Sequence, residues 1–535
     1  MQHKRTIDRL QADYVIVGGG SAGLVLANRL SEGDATVLLI EAGGEAHGLL
    51  AQLPAGFGKL VGDPDRDWRY GQEPDPTIND RQLMWSAGRM LGGGSAINGQ
   101  VYIRGTRGDF ARWAESGAPG WTYDDVEPFY RRAERWEGEP DQMHGESGPL
   151  SVSPMRDVHP YAGTFLDACA QVGLRSPVRC NDGTMDGAFL TLASQRDGWR
   201  CSTEKAYLRP ARRRKNLRVM VRTEVARIRL DGAHAIGVTA RRQGERIEID
   251  ARRDVILSAG ALGSPAVLMR SGIGPAGNLR AVGIEIVHDL PGVGQNLQEH
   301  ASVRLTKCVD GPTLNADVGS PRMLAHLLRY AWDRRGILSA PIVQSMALAR
   351  TREDLPEPDI QLLFIPLAVE RDPETLKPVK ERAITISACL SRPRARGRVD
   401  LAADGTPRVS HRLLGDERDL DTLINGARLV QRIFEASSFA RIVTGNYRPD
   451  AIPTTRDGWV EFIRKQAGTA FHPVGTCRMG SDSMAVVDDR LRVRGIAGLR
   501  VIDASVMPYL TSVNTNATTI MLAEKAADLI RSEHR

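Results

Sequence analysis

The chain's apolar and polar positions first outline a buried strand and a helix. Tyr14 to Val17 form a short apolar run, as a strand covered on both faces of a parallel sheet requires. Ala22, Val25, Leu26 and Leu30 then recur at helical spacing, and "TVLLIEAGG" predicts a second strand ending at Glu41. The basic run "ARRRKNLR" (Ala211 to Arg218) precedes the apolar "VMV" and reads as a solvated loop entering a strand. "HLLRYAWDRRGILSAP" (His326 to Pro341) predicts an amphipathic helix ending at Gly336, and "PDIQLLFIPLAV" (Pro358 to Val369) is strand-rich with poor alternation. No apolar run reaches the ~18 residues that a spanning helix needs.

At 535 residues the chain exceeds a single simple core, so two or more structural units are expected. With 41% hydrophobic and 25% charged residues it is an ordinary globular composition. The net charge of +6 is mild for this length, and no basic segment is interleaved with aromatics as nucleic-acid binding would need. Six cysteines are scattered without a C-x-x-C pair, which reads as reduced thiols rather than a disulfide or metal framework. The first residues carry charge without an apolar signal core, so a cytoplasmic protein is expected, with contact at the face of the inner membrane left open.

The strand and helix are joined by Gly18-Gly19-Gly20-Ser21-Ala22-Gly23, a G-x-G-x-x-G. Gly18 permits the tight turn, Gly20 lets backbone approach a pyrophosphate, and Gly23 lets helix pack on strand. The helix N-terminus attracts phosphate, and Glu41 can accept from a ribose. This is a Rossmann-like dinucleotide site within an α/β unit, and the motif alone does not separate NAD from FAD.

A second glycine block, "GRMLGGGSAINGQVYIRG" (Gly88 to Gly105), cannot fill a core but can wrap a flat ring system with backbone N–H groups. "SAGALGSPAVLMRSGIG", "LPGVGQNLQEH", "FHPVGTCRMG" (Phe471 to Gly480) and "LRVIDASVMPYLTSVNTNATTIMLAEKAADLI" come after it, in that order. With these blocks the chain resembles the glucose–methanol–choline (GMC) family of FAD-dependent oxidoreductases, from about Asp13 to Ile530. It is similar to the family's bacterial alcohol and choline dehydrogenases and its hydroxymethylfurfural-type alcohol oxidases. The resemblance implies an α+β molecule: an FAD domain built from separate segments and a substrate domain on an antiparallel sheet with helices. The expected division is 12–307 mainly FAD-binding, with substrate-domain residues near 155–200. Residues 308–460 are then mainly substrate-binding, and 461–535 return to the FAD domain.

The resemblance places Gly18, Gly20, Ser21 and Ala22 on the pyrophosphate and Glu41 on the adenosine ribose. Gly88, Met90, Gly92, Gly93, Asn98, Gly99 and Val101 would line the flavin, with Trp68 beside it. Val225 would meet the adenine through its backbone, and Asp503 and Ala504 the middle of the cofactor. In some family members a histidine just before this asparagine ties the flavin covalently. Here that position is Ile97, which has no nucleophilic atom, so non-covalent FAD is expected.

The resemblance also makes His472 the base and places its companion about forty-four positions later, at Asn516. A neutral imidazole can take the hydroxyl proton of an alcohol, and an asparagine can hold its oxygen. His300, in "NLQEH", is a third candidate whose favoured reading is structural, and Cys477 reads as a packing residue. Phe471, next to the base, would suit a flat or apolar primary alcohol. No acidic residue can be placed in the pocket, so a cationic substrate such as choline is not supported. The expected reaction is oxidation of a primary alcohol, aromatic or aliphatic, to an aldehyde. Oxygen or a quinone would accept the electrons; an FAD-containing lyase of the same family is the rival reading.

Overall fold

The computed structural model describes residues 10–318, 320–372 and 375–533. Two sheets organise it. The strands of the first are β1 (Leu10–Val17), β2 (Val37–Ile40), β3 (Leu217–Met220), β4 (Thr223–Asp231), β5 (His234–Arg242) and β6 (Glu245–Leu257), with a last strand from the chain's end, Leu499–Val501. Their order is β3-β2-β1-β6-β5-β4, and Leu499–Val501 pairs with β6. The β3, β2, β1 and β6 pairings are parallel, as is the last strand on β6, whereas β6-β5-β4 is an antiparallel meander. Parallel strands need cover on both faces, which is why β2 and the second half of β1 are wholly buried.

The second sheet is antiparallel throughout. It is built from β7 (Ala301–Val309), β8 (Ser345–Ala349), β9 (Ile360–Ile365), β10 (Ala383–Leu390) and β11 (Val443–Arg448) in the order β8-β9-β10-β7-β11, with the short strand Gly468–Thr469 on β7. β7 runs across the expected division at residue 307. The strand Gly187–Leu190 lies alongside this sheet, with Thr191 N donating to the Gln344 carbonyl at 3.1 Å. β9 alternates poorly because both of its faces are covered: Phe364, for instance, stacks on Phe165 at 5.6 Å.

Three helices stand out. α1 (Ser21–Leu30) leads off from β1, α2 (Arg322–Asp333) stands before β8, and α3 (Asn516–Glu533) ends the described chain. α2 is the amphipathic helix read from the sequence. It stops at Asp333 rather than Gly336, because Arg334 adopts a left-handed conformation (φ 59°) and closes it. α1 and α3 are clamped by a bidentate ion pair, Arg29 to the fully buried Glu524, both oxygens at 2.9 Å. Tyr207 and Arg132 donate to the same carboxylate. The first and last helices of the chain therefore pack as one layer. Among the described residues no helix is long and apolar enough to cross a membrane.

Candidate functional site

The two sheets enclose one large cavity of about 760 Å³. At one end lies the β1–α1 turn. Gly18 has φ +105°, and a Cβ there would stand 2.4 Å from the Ser258 carbonyl oxygen. A Cβ on Gly23 would stand 1.9 Å from the Gly18 oxygen, so helix and strand touch only because both are glycine. Gly20 differs: its nearest neighbour would be 3.9 Å away, so its missing side chain is open space on the cavity wall. Gly94 and Gly260 also line the cavity, with nothing within 4 Å. Gly20 caps α1 without any side-chain cap, so the first-turn N–H groups are left for an anion.

Two buried carboxylates frame this end. Glu41 accepts from Gly19 N and Gly43 N at 2.7 Å each, and burial pushes its pKa up. Each oxygen keeps a second lone pair for a hydroxyl. Asp503 accepts from Gly260 N at 2.9 Å, Ser264 Oγ at 2.6 Å and Ser505 N at 2.8 Å; burial raises its pKa as well. A glycine-lined trough, bare helix N–H groups and two carboxylates held by backbone suit a dinucleotide's phosphates, sugar and flat ring.

Nearly all the expected cofactor residues line this one cavity. Gly18, Gly20, Ser21, Ala22, Glu41, Trp68, Gly88, Gly93, Asn98, Gly99, Val101, Val225, Asp503 and Ala504 all face it. Met90 and Gly92 do not. Met90 is a core side chain, and Gly92 (φ +96°) forms the turn behind the lining, its N–H donating to the Gly19 carbonyl at 2.8 Å. Trp68 stacks on Tyr70 at 5.7 Å, and the Arg89 guanidinium lies over its ring at 4.9 Å. Asn98 is held by a residue that sequence reasoning missed. The buried Arg200 donates to its carbonyl at 2.7 Å and its Oδ1 at 3.0 Å, and also to the carbonyls of Ser95 and Pro54. Burial pulls the Arg200 pKa down to about 9.

The opposite end of the cavity carries His472, and four groups fix its protonation. The Thr511 carbonyl can only accept, so His300 Nε2, 3.0 Å away, must carry a proton. A neutral His300 then presents Nδ1 as an acceptor, and His472 Nδ1, 3.0 Å from it, must be the donor. That leaves Nε2 of His472 with its lone pair, facing Asn514 Nδ2 at 3.0 Å. A backbone carbonyl thus selects the tautomer of the cavity histidine through a second histidine. Burial holds His300 down to about 4, and burial together with His300 holds His472 well below the ordinary histidine value. Both imidazoles are neutral near pH 7.

The turn that carries His472 is itself held from below. The Glu299 carboxylate, fully buried, accepts from His472 N at 2.9 and 3.0 Å, from His300 N at 2.9 Å and from Ala470 N at 3.3 Å. Phe471 lines the cavity and sits at φ 64°, a left-handed conformation costing a bulky residue roughly 1–2 kcal/mol, which those bonds hold in place. Cys477, five residues on, is buried, and burial drives its thiol pKa far up.

The expected pair of His472 with Asn516 is not what the structure shows. Asn516 Oδ1 accepts from Ser21 Oγ at 2.8 Å, at the phosphate turn, and the residue on His472 is Asn514. The reason is local. The Thr515 carbonyl takes the N–H of Thr519, so Thr515 caps α3 and Asn516 is already helical. His300, read as structural, is instead in direct contact with His472.

Comparisons with known proteins agree with this architecture. Family models described as GMC oxidoreductase match residues 12–302 and 393–523. An alcohol dehydrogenase (acceptor) of Pseudomonas putida is 34% identical over 97% of this chain and 95% of its own. An oxygen-dependent choline dehydrogenase of Pseudomonas putida is 37% identical over 97% and 94%. The crystal structure of pyridoxine 4-oxidase from Mesorbium loti superposes with a TM-score of 0.88 at 31% identity, over 98% of this chain and 99% of that one. A glycine-built dinucleotide trough, a neutral histidine poised across from it, and these matches lead to one conclusion: the chain belongs to the GMC oxidoreductases, an FAD-dependent family that includes alcohol and choline dehydrogenases.

Proposed function

We propose that the protein oxidises a primary alcohol to an aldehyde, with Nε2 of His472 as the base and Asn514 as its partner. The observation that carries this is the chain Thr511 carbonyl, His300, His472, Asn514, which leaves one unprotonated nitrogen at the cavity surface. A hydroxyl entering between His472 and Asn514 donates to Nε2 and accepts from Asn514 Nδ2. This aligns the O–H with the base and fixes the carbinol carbon; such positioning is worth several kcal/mol. When bound, FAD would supply the two-electron acceptor for the hydride that leaves the carbinol carbon. Phe471 and the neighbouring apolar wall exclude water from the reacting carbon. Gly18, Gly20, Ser21, Ala22 and the α1 N-terminus would hold the pyrophosphate, Glu41 the ribose, and the block from Gly88 to Val101 the ring.

Flavin is held without a covalent bond in this reading. Ile97, on the cavity wall, offers no nucleophile at the linkage position known in the family. Acid precipitation should leave the yellow colour in the supernatant; flavin that stays in the pellet would overturn it. We favour a dehydrogenase passing electrons to a quinone or similar acceptor, on the name of the Pseudomonas putida alcohol dehydrogenase (acceptor), with oxygen, the acceptor named for its choline relative, as the alternative. A cytoplasmic location is part of the same proposal. The deciding experiment mixes oxidised holoenzyme anaerobically with a panel of alcohols. Bleaching by primary alcohols supports the function, and no bleaching by any alcohol rejects it. Slow recovery of colour in air supports a dehydrogenase, whereas recovery faster than turnover with a quinone makes it an oxidase.

A further inference from the structure

The cavity wall contributed by the antiparallel sheet holds an arginine that no acid among the described residues pairs with. Alternation along β7 turns Ser302 and Arg304 to the cavity. Across the sheet, Ser302 pairs with Cys389 and Cys389 with Gln361; one repeat further, Arg304 pairs with Ser387 and Ser387 with Leu363. All six line the cavity. The first row reaches the histidine behind the base, since Gln361 Nε2 is 3.5 Å from His300 Nδ1, which in turn meets His472 Nδ1. Arg304 therefore stands one side-chain repeat, about 7 Å of strand, beyond the row that touches the histidines.

Fully buried guanidinium groups elsewhere in the molecule have acid or carbonyl partners, even where an Nε, as in Arg104 and Arg200, makes no hydrogen bond. Arg500 pairs with Asp254 and Glu533, Arg104 with Glu134, and Arg200 donates to carbonyls. Arg304 has no hydrogen bond or ion pair to another described residue, and no carboxylate contributes to its electrostatics. Burial and the neighbouring Arg448 both act against its charge. The acids that line the cavity are Glu41, Glu224 and Asp503, on the cofactor side. An arginine stays protonated at any ordinary pH, and a partly desolvated charge without a partner is costly until an anion meets it. A planar fork of donors matches a carboxylate.

We propose that Arg304 determines substrate specificity and that the substrate is a primary alcohol bearing a carboxylate at its far end. The two groups are separated by an apolar or aromatic spacer, because Leu363, Ile342 and Phe471 line the cavity between and around them. An α-hydroxy acid is too short to reach both His472 and Arg304. This rests on the alcohol-oxidising reading above; the carboxylate takes no part in the bonds that change.

The test uses holoenzyme and two matched pairs, 4-(hydroxymethyl)benzoate and 6-hydroxyhexanoate, each against its methyl ester. Flavin reduction is followed anaerobically in wild type, Arg304→Met and Arg304→Lys, all checked for stoichiometric flavin. In wild type the better acid should exceed its ester in kred/Kd by about 100-fold, the scale of a charge-assisted hydrogen bond pair. Arg304→Met should bring that ratio near one, and Arg304→Lys should restore part of it. If wild type reduces esters as well as acids, or the ratio survives in Arg304→Met, the proposal is overturned while alcohol oxidation stands. If no alcohol bleaches the flavin, the functional reading fails, and terephthalate binding, read from the oxidised flavin spectrum, decides Arg304 alone. Binding weakened at least tenfold in Arg304→Met supports it, and equal binding overturns it.

Discussion

The two ends of the cavity are built from different materials. At the cofactor end the wall is backbone: glycines without side chains, N–H groups of α1, and two carboxylates already engaged by main-chain donors. At the substrate end the wall is side chain: a histidine backed by a second one, an asparagine, a glutamine and an arginine, on strands, on the turn at 470–472 and in the loop before α3. Backbone walls tolerate little variation, because a single Cβ fills them. Side-chain walls can be rewritten one residue at a time without touching the fold. Each end can therefore be broken separately.

The largest effect is expected at Gly20. Its φ of −82° is open to any residue and no atom crowds its Cβ, so Gly20→Val should fold but fill the trough. The purified variant should be colourless; stoichiometric flavin in it would show that the pyrophosphate lies elsewhere. At the other end, His472→Ala should stay yellow and lose about 10²–10⁴ in flavin reduction, the usual worth of a general base. Reduction within threefold of wild type would remove His472 from that role.

The two asparagines sharpen the contrast, since they are two residues apart and belong to opposite ends. Asn514→Ala should slow reduction by roughly 10- to 100-fold with flavin retained, the loss of a hydrogen bond to a reacting group. Asn516→Ala should instead weaken flavin retention, through Ser21, and change the reduction step less. Equal behaviour of the two variants would mean that the line between the ends is misplaced.

The smallest effect is on pH. A base whose pKa lies below the ordinary 6.5 is already neutral at pH 6.5, so kred/Kd should be flat above that value and fall only below it. Stability should move in the same direction. His300 and His411 titrate at about 4 in the fold and near 6.5 when unfolded, so only the unfolded chain takes up protons between those values. The unfolding midpoint should drop through that window; a rise would contradict buried neutral histidines.

The cofactor end was legible in the sequence for the same reason that it is intolerant. Gly18 and Gly23 are each demanded by a contact and Gly20 by open space on the cavity wall, so their spacing announces the turn, and Glu41 comes at the end of the next strand. Met90 and Gly92, which stand behind the lining, mark the limit of that reading: a glycine block shows that backbone is needed, not which residue faces the cavity. At the substrate end, counting forty-four residues from His472 reached Asn516 because spacing ignores where a helix begins. The signal was in "NTNATT", where Thr515 can cap and Asn514 precedes the cap. His300 and Arg304 were harder. The period-two pattern of "SVRLTKCV" shows that Ser302 and Arg304 share a face, but only the assembled sheet shows that this face borders His472.

The clamp between α1 and α3 has a consequence for how the protein is made. Ser21 and Asn516, and likewise Arg29 and Glu524, are 495 residues apart in the chain. A ribosome adds about 5–20 residues per second, so the phosphate turn leaves the exit tunnel roughly 25–100 s before the helix that closes over it. Throughout that interval the trough is exposed on a nascent chain that lacks the helix beginning at Asn516. A chain that stops anywhere before Asn516 has the nucleotide turn without its cover. Chains truncated before Asn516 should therefore retain no flavin, which absorbance of purified truncations would check.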